Sequence, residues 1–238
     1  MAVQIVRGLR HCRVALVILA IGIVDGAAAA TIEVAPGVHV TKTTFPAPIN
    51  QQPFYGFAEL TPNQRAANEE FVAKASQAAG SREKAFEETI RRAWNALLSG
   101  NFSEATKRFN QAYLIDPGQS QIFHGLGLIA FERFRNAAFA DELLRIARAR
   151  PNPAKLLNAD YGRFLLLAGR PQEAEPVLEQ AVVDAPNFTT AWSNLAWARR
   201  HNGKTKAACA AAMKAEELSP PPNVSSDLAM LRSSAGCT

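Results

Sequence analysis

The side chains able to do chemistry in this 238-residue chain are few and widely spaced. After the first thirty residues the histidines are His39, His124 and His201. None stands four residues from another His, a Cys or a carboxylate, as a helical metal or acid–base pattern requires. His124 is readable as a groove residue or, more plainly, as a polar position on a half-exposed helix. The adjacent acids Glu69–Glu70, Glu87–Glu88 and Glu216–Glu217 suggest acid–base work only superficially, because consecutive helical residues point in different directions. Gly125-Leu126-Gly127 lacks the lysine and the strand–turn–helix setting of a phosphate loop. The sequence therefore implies no catalytic residue, no metal ligand set and no cofactor.

Cysteine is the other reactive type, at Cys12, Cys209 and Cys237. The last two are either partners in a disulfide or two unrelated thiols, and the sequence leaves both readings open. A bond between them would close a loop that contributes about 3.6 kcal/mol in the chain-entropy account.

The N-terminal residues bear on the compartment. Arg7, Arg10 and Arg13 lead into the apolar run Val14 to Val24, which stops at Asp25-Gly26 and is followed by Ala27 to Ala30. Residues 1–30 thus read as a secretory signal, cut near Ala30 or Thr31. The run is shorter than the roughly 20 residues that cross a bilayer. The expected location is periplasmic or secreted, the alternative being an inner-membrane anchor formed by an uncleaved signal. No later segment has the length and apolarity of a membrane span. Without these residues the formal charge falls from +5 to +3, since three Arg and one Asp leave. Basic residues alternate with Glu, as from Glu83 to Arg92, instead of forming the stripe that nucleic acid requires, so no nucleic-acid partner is expected.

Residues 31–60 hold Pro36, Pro46, Pro48 and Pro53, which exclude a helix and predict an extended lead-in. The alternation Ile32, Val34, Val38, Val40 suits one short strand with no identifiable partner, and Phe54, Tyr55 and Phe57 are placed to tuck the segment onto helices. Helix is predicted from Thr61-Pro62-Asn63-Gln64, a cap, a first-turn proline and a residue able to reach back to the cap. It ends near Ala79 at Gly80-Ser81, and a second helix runs from about Arg82 to Ser99.

Beyond this a unit recurs. Ala105, Ala140, Ala174 and Ala208 are spaced by about 34 residues, as are Ala112, Ala147, Ala181 and Ala215, and Pro117, Pro151, Pro186 and Pro220. Small residues at Gly127, Gly162 and Ala196 suit the close crossing of two helices, and Gly100, Gly169 and Gly203 suit left-handed helix ends.

A 34-residue period with this pattern resembles the tetratricopeptide-repeat family, and in particular exported bacterial-type members. Trp192, Leu195, Ala196, Ala208, Ala212 and Pro220 match one repeat, and Tyr161, Gly162, Leu165, Ala174, Leu178 and Pro186 another. The first repeat departs at Arg92, where an apolar residue is usual. The second gains a residue before Ala140 and loses one before Pro151. The resemblance implies an all-α, right-handed α-α superhelix of about four helix-turn-helix repeats, 86–119, 120–154, 155–188 and 189–222. Residues 61–85 and 223–238 would supply N- and C-terminal capping helices.

The resemblance also implies a concave face, lined by the first helix of each repeat, that holds a protein or peptide partner. By register that groove carries Trp94, His124, Leu128, Phe131, Arg163, Asn194, Trp197, Arg200 and His201, with Ile90, Leu97, Leu166 and Leu167 among the apolar neighbours. Trp94 and Trp197 are either anchors or inter-helix filling, and Arg163 and Arg200 suit a carboxylate. Ile90, Trp94, Gly125, Leu156 and Asp160 stand where some family members carry polar carboxylate-gripping residues, so that mode is not reproduced here. The expected function is a non-catalytic interaction scaffold or adaptor of the cell envelope. A self-assembling structural component is the alternative, and an enzyme a third class. Oligomeric state is not read from the sequence.

Overall fold

The computed structural model describes residues 30–237, so the expected signal, apart from Ala30, lies outside the described residues. A hairpin, β1 (Thr31–Ala35) and β2 (Val38–Thr41), precedes ten helices: α1 (Pro62–Ala79), α2 (Arg82–Leu98), α3 (Phe102–Ile115), α4 (Ser120–Glu132), α5 (Ala137–Ala149), α6 (Leu157–Leu167), α7 (Pro171–Asp184), α8 (Thr189–His201), α9 (Thr205–Glu217) and α10 (Pro222–Ala235).

Local chemistry sets the helix starts. Thr61 Oγ1 accepts from the Gln64 amide while the Gln64 side chain accepts from the Thr61 amide, satisfying two amides that the first turn leaves free. Ser81, Asn101 and Asn136 cap α2, α3 and α5 through one side-chain acceptor each.

The helices pack as hairpins, α2 with α3, α4 with α5, α6 with α7 and α8 with α9, stacked one after another into a repeat solenoid. Ala105, Ala140, Ala174, Ala208 and the second series Ala112, Ala147, Ala181, Ala215 are all 0 % exposed. The recurring alanines therefore mark where two helices cross too closely for a larger side chain. α1 leans on α2, and α10 covers α8 and α9.

Three hairpins turn through Gly100, Gly169 and Gly203 at φ 74° to 76°, and the next amide bonds a carbonyl five residues back. The second hairpin has one more residue in its turn. Arg135 takes the left-handed position at φ 53°, and Asn136 N reaches Ala130 O, six residues back. This is the structural form of the irregularity that precedes Ala140.

Residues 31–60 depart from the expected extended lead-in. The alternating run folds on itself at Pro36-Gly37, pairing Ile32 with Val40, so the strand's partner is the second half of the same run. An isolated two-stranded hairpin is marginal in water. Here Thr41 N and Oγ1 both donate to Glu142 Oε1 on α5, at 2.8 and 3.2 Å. The chain then lies along α3 and α5. Asn110 Nδ2 donates to the carbonyls of Gln52 and Asn50, Arg133 donates to Gln51, and Phe45 stacks on Phe134 with centroids 4.0 Å apart. Phe54, Tyr55, Gly56 and Phe57 are all left-handed, a conformation costing about 1–2 kcal/mol for each non-glycine residue. Burial of Phe54 against Tyr113 and Phe123 offsets that cost.

Candidate partner-binding groove

Helical spacing gives α2, α4 and α6 one common inner surface. Trp94, Leu97 and Leu98 lie within one turn of α2, Leu128, Phe131 and Glu132 within one turn of α4, and Asp160, Arg163, Phe164 and Leu167 along one face of α6. With Phe102 these residues line a single cleft of about 280 Å³. Its walls are aromatic and aliphatic. Phe131 meets Phe164 edge to face at 5.0 Å, and Trp94 meets Phe109 in the same manner at 5.5 Å. At the mouth Leu98 and Leu167 are 82 % and 58 % exposed, an arrangement more usual for a contact surface than for an edge facing only water.

Three charged side chains border the cleft. Asp160 Oδ2 lies 2.9 Å from His124 Nε2 and accepts from it where that nitrogen carries the proton, and Glu132 lies 3.7 Å from Arg135. Arg163 forms no ion pair among the described residues.

Four antiparallel-type helix pairs in sequence, joined by tight turns at a 34-residue period, are matched by solved structures. PilF of Pseudomonas aeruginosa is 25% identical with a TM-score of 0.57, over 64% of this chain and 70% of that one. PilW, described as a widely conserved type IV pilus biogenesis factor, is 19% identical with a TM-score of 0.54, over 73% and 84%. The Cut9–Hcn1 assembly of the APC/C is 16% identical with a TM-score of 0.54, over 75% of this chain and 35% of that one. These structures are tetratricopeptide-repeat proteins. This chain has the tetratricopeptide-repeat solenoid fold. No protein-family model and no curated protein matches the sequence.

Of the expected groove residues the cleft brings together Trp94, Leu97, Leu128, Phe131, Arg163 and Leu167, whereas the others lie outside its lining. Trp94 is half-buried and both lines the cleft and packs on the core, so the two readings of this residue are not exclusive. His124 is not in the cleft wall. It is 1 % exposed, beneath the ring of Trp94 at 4.7 Å, with Nδ1 unpartnered. Ile90 is likewise buried in the core. Asn194, Trp197, Arg200 and His201 stand apart on α8. Trp197 stacks on the exposed His201 at 5.8 Å, Asn194 Nδ2 has no partner, and Arg200 Nη2 donates to the Ser234 carbonyl of α10.

Reading the sequence by repeat register missed Leu98, Phe102, Glu132 and Phe164. Leu98, Glu132 and Phe164 each lie one residue beyond or four residues from an expected position, so the i, i+3, i+4 spacing contained the signal. Among the described residues no group of three His, Cys, Asp or Glu side chains converges as metal ligands would. No described helix is long and apolar enough to cross a membrane. Cys209 and Cys237 are joined, with Cα atoms 5.6 Å apart.

Proposed function

We propose that this protein is a non-catalytic scaffold of the cell envelope that holds a segment of another protein in the cleft between α2, α4 and α6. The observation that carries the reading is the convergence of apolar side chains from three successive first helices on one opening whose cation, Arg163, has no ion-pair partner among the described residues. Asp160 and Glu132 face His124 and Arg135, which leaves the Arg163 guanidinium as the charged group of the cleft free to meet a ligand. The fitting occupant is a segment with aromatic or aliphatic anchors beside a carboxylate, the anchors filling the cleft and the acid meeting the guanidinium.

The envelope location rests on the arginine-led apolar run of residues 1–30. The likeness to PilW, a pilus biogenesis factor, is compatible with it. N-terminal sequencing of the protein from an extracytoplasmic fraction should start near Ala30 or Thr31. Recovery of the chain from the cytoplasm with Met1 intact would remove this part of the reading.

The groove is tested by a photoreactive phenylalanine analogue at Leu167 in living cells, with the same analogue at Val183, outside the cleft, as reference. A discrete crosslinked protein is expected from Leu167 alone. A peptide from its crosslinked region should bind purified protein and lose at least tenfold in affinity on Arg163→Glu. Equal crosslinking from Val183, or a peptide indifferent to Arg163→Glu, would overturn the assignment of this cleft.

A further inference from the structure

The C-terminal helix is held over the last pair by unequal means. α10 buries Val224, Leu228 and Leu231 against α8 and α9, while Met230 is 57 % exposed. Arg232 Nη1 reaches both carboxylate oxygens of Glu216, at 3.2 and 2.9 Å. Both side chains are more than a third exposed, where an ion pair contributes little. Beside this apolar burial stands a covalent tie: the disulfide joins Cys209, in the first half of α9, to Cys237, which follows the left-handed cap at Gly236.

Arg200 shows what this closed arrangement costs. Its Nη2 donates to the Ser234 carbonyl at 3.0 Å, and its Nε is shut away from solvent with no acceptor. One guanidinium donor left without an acceptor opposes the packing that covers that part of the half-buried side chain. The covalent bond therefore holds α10 on a residue that would gain by its departure, since an undocked α10 gives Arg200 to water or to a carboxylate.

We propose that α10 is a thiol-sensitive lid: with Cys209 and Cys237 bonded it closes over Arg200, and on reduction its C-terminal half lifts and frees that guanidinium. The reductant is a dithiol. One of its thiolates attacks a sulfur of the Cys209–Cys237 bond, forming a mixed disulfide and releasing the other cysteine as thiolate. Its second thiol then displaces the bound cysteine, so two electrons and two protons pass to the protein and the reductant leaves as a disulfide. That the freed Arg200 would meet a partner's carboxylate rests on the inner face being the binding surface; the lid motion itself does not.

The test uses the purified protein, oxidised and after tris(carboxyethyl)phosphine, with two readouts that need no partner. Amide exchange over residues 222–237 should rise roughly 400-fold on reduction, the factor that the chain-entropy account gives for opening this loop. Phenylglyoxal should label Arg200 faster after reduction, while Arg163, exposed in both states, is labelled at an unchanged rate. The variant Cys209→Ser/Cys237→Ser should behave as the reduced protein without reductant. Unchanged protection of α10 after reduction would overturn the lid, because its non-covalent contacts would then suffice. Loss of protection spreading through α8 and α9 would overturn it differently, by making the bond a support of the whole last pair. Either failure leaves the α2–α4–α6 cleft untouched, and loss of binding in that cleft leaves the lid untouched.

Discussion

His124 on α4 and Asp160 on α6 are joined by a 2.9 Å contact between Nε2 and Oδ2. α2 packs on α4 and α6 packs on α8, but α4 and α6 have no comparable backbone contact, and the cleft lies where they diverge. The pair therefore bridges the widest seam of the solenoid beneath its candidate binding surface. Asp160→Ala should destabilise the protein by about 1–3 kcal/mol, since it leaves the buried imidazole without its partner, and His124→Ala should destabilise it by emptying a buried site, Asp160 then turning to water. In urea unfolding, the double variant should fall short of the sum by at least about 0.5 kcal/mol. Additive costs would mean that the two side chains contribute separately and that no bridge operates.

Much of the fold was legible because helix crossing imposes a size limit at fixed intervals. Alanine recurs where that limit applies, and all eight recurring alanines are fully buried. The strand pairing of Val38–Thr41 with Thr31–Ala35 was harder to see, because it depends on a turn and on Glu142, more than 100 residues away. The cleft was half legible: register places Trp94, Leu128, Phe131 and Arg163, whereas the burial of His124 follows from Asp160, 36 residues on, arriving across the seam. Register also assigned Arg200 to the groove, and only the path of α10 shows that Ser234 reaches it first.

Gly125 illustrates a packing constraint that its sequence setting hides. A Cβ placed there would lie 2.0 Å from Cζ of Phe109, a ring that is itself fully buried. Alanine gains about 1 kcal/mol over glycine in helix propensity, but overpacking of a closed core costs about 1–3 kcal/mol, and a contact this short cannot relax without moving the ring. Gly125→Ala should therefore lower stability despite the better helix former, and Phe109→Leu should recover part of the loss in the double variant. A Gly125→Ala protein as stable as the parent in thermal unfolding would show that the α3–α4 packing has room that the geometry denies.

Tyr161 gives the protein an alkaline limit. Its ring is 4 % exposed and its hydroxyl donates to Asp141 Oδ1 at 2.8 Å. Burial, followed by the hydrogen bond and the negative charge of Asp141, pushes the phenol up to about 12, against the opposing charges of Arg170 and Arg145. In the unfolded chain the same group ionises near its ordinary value of about 10. Stability from this residue is thus fully present below about pH 10 and is lost as pH rises through the folded value. Tyr161→Phe, which removes the hydrogen bond but leaves Asp141 beside Arg145 and Arg170, should cost about 1 kcal/mol at pH 8. Because the variant cannot lose what it lacks, the gap should move by about 2 kcal/mol in its favour by pH 12. Tyr55, also pushed up to about 12 by burial, is present in both proteins and cancels in the difference. Urea midpoints of the pair at pH 8 and near pH 12 decide the matter: a gap that stays constant would mean that Tyr161 ionises alike in the folded and unfolded chains, and that its burial against Asp141 exerts no hold on its proton.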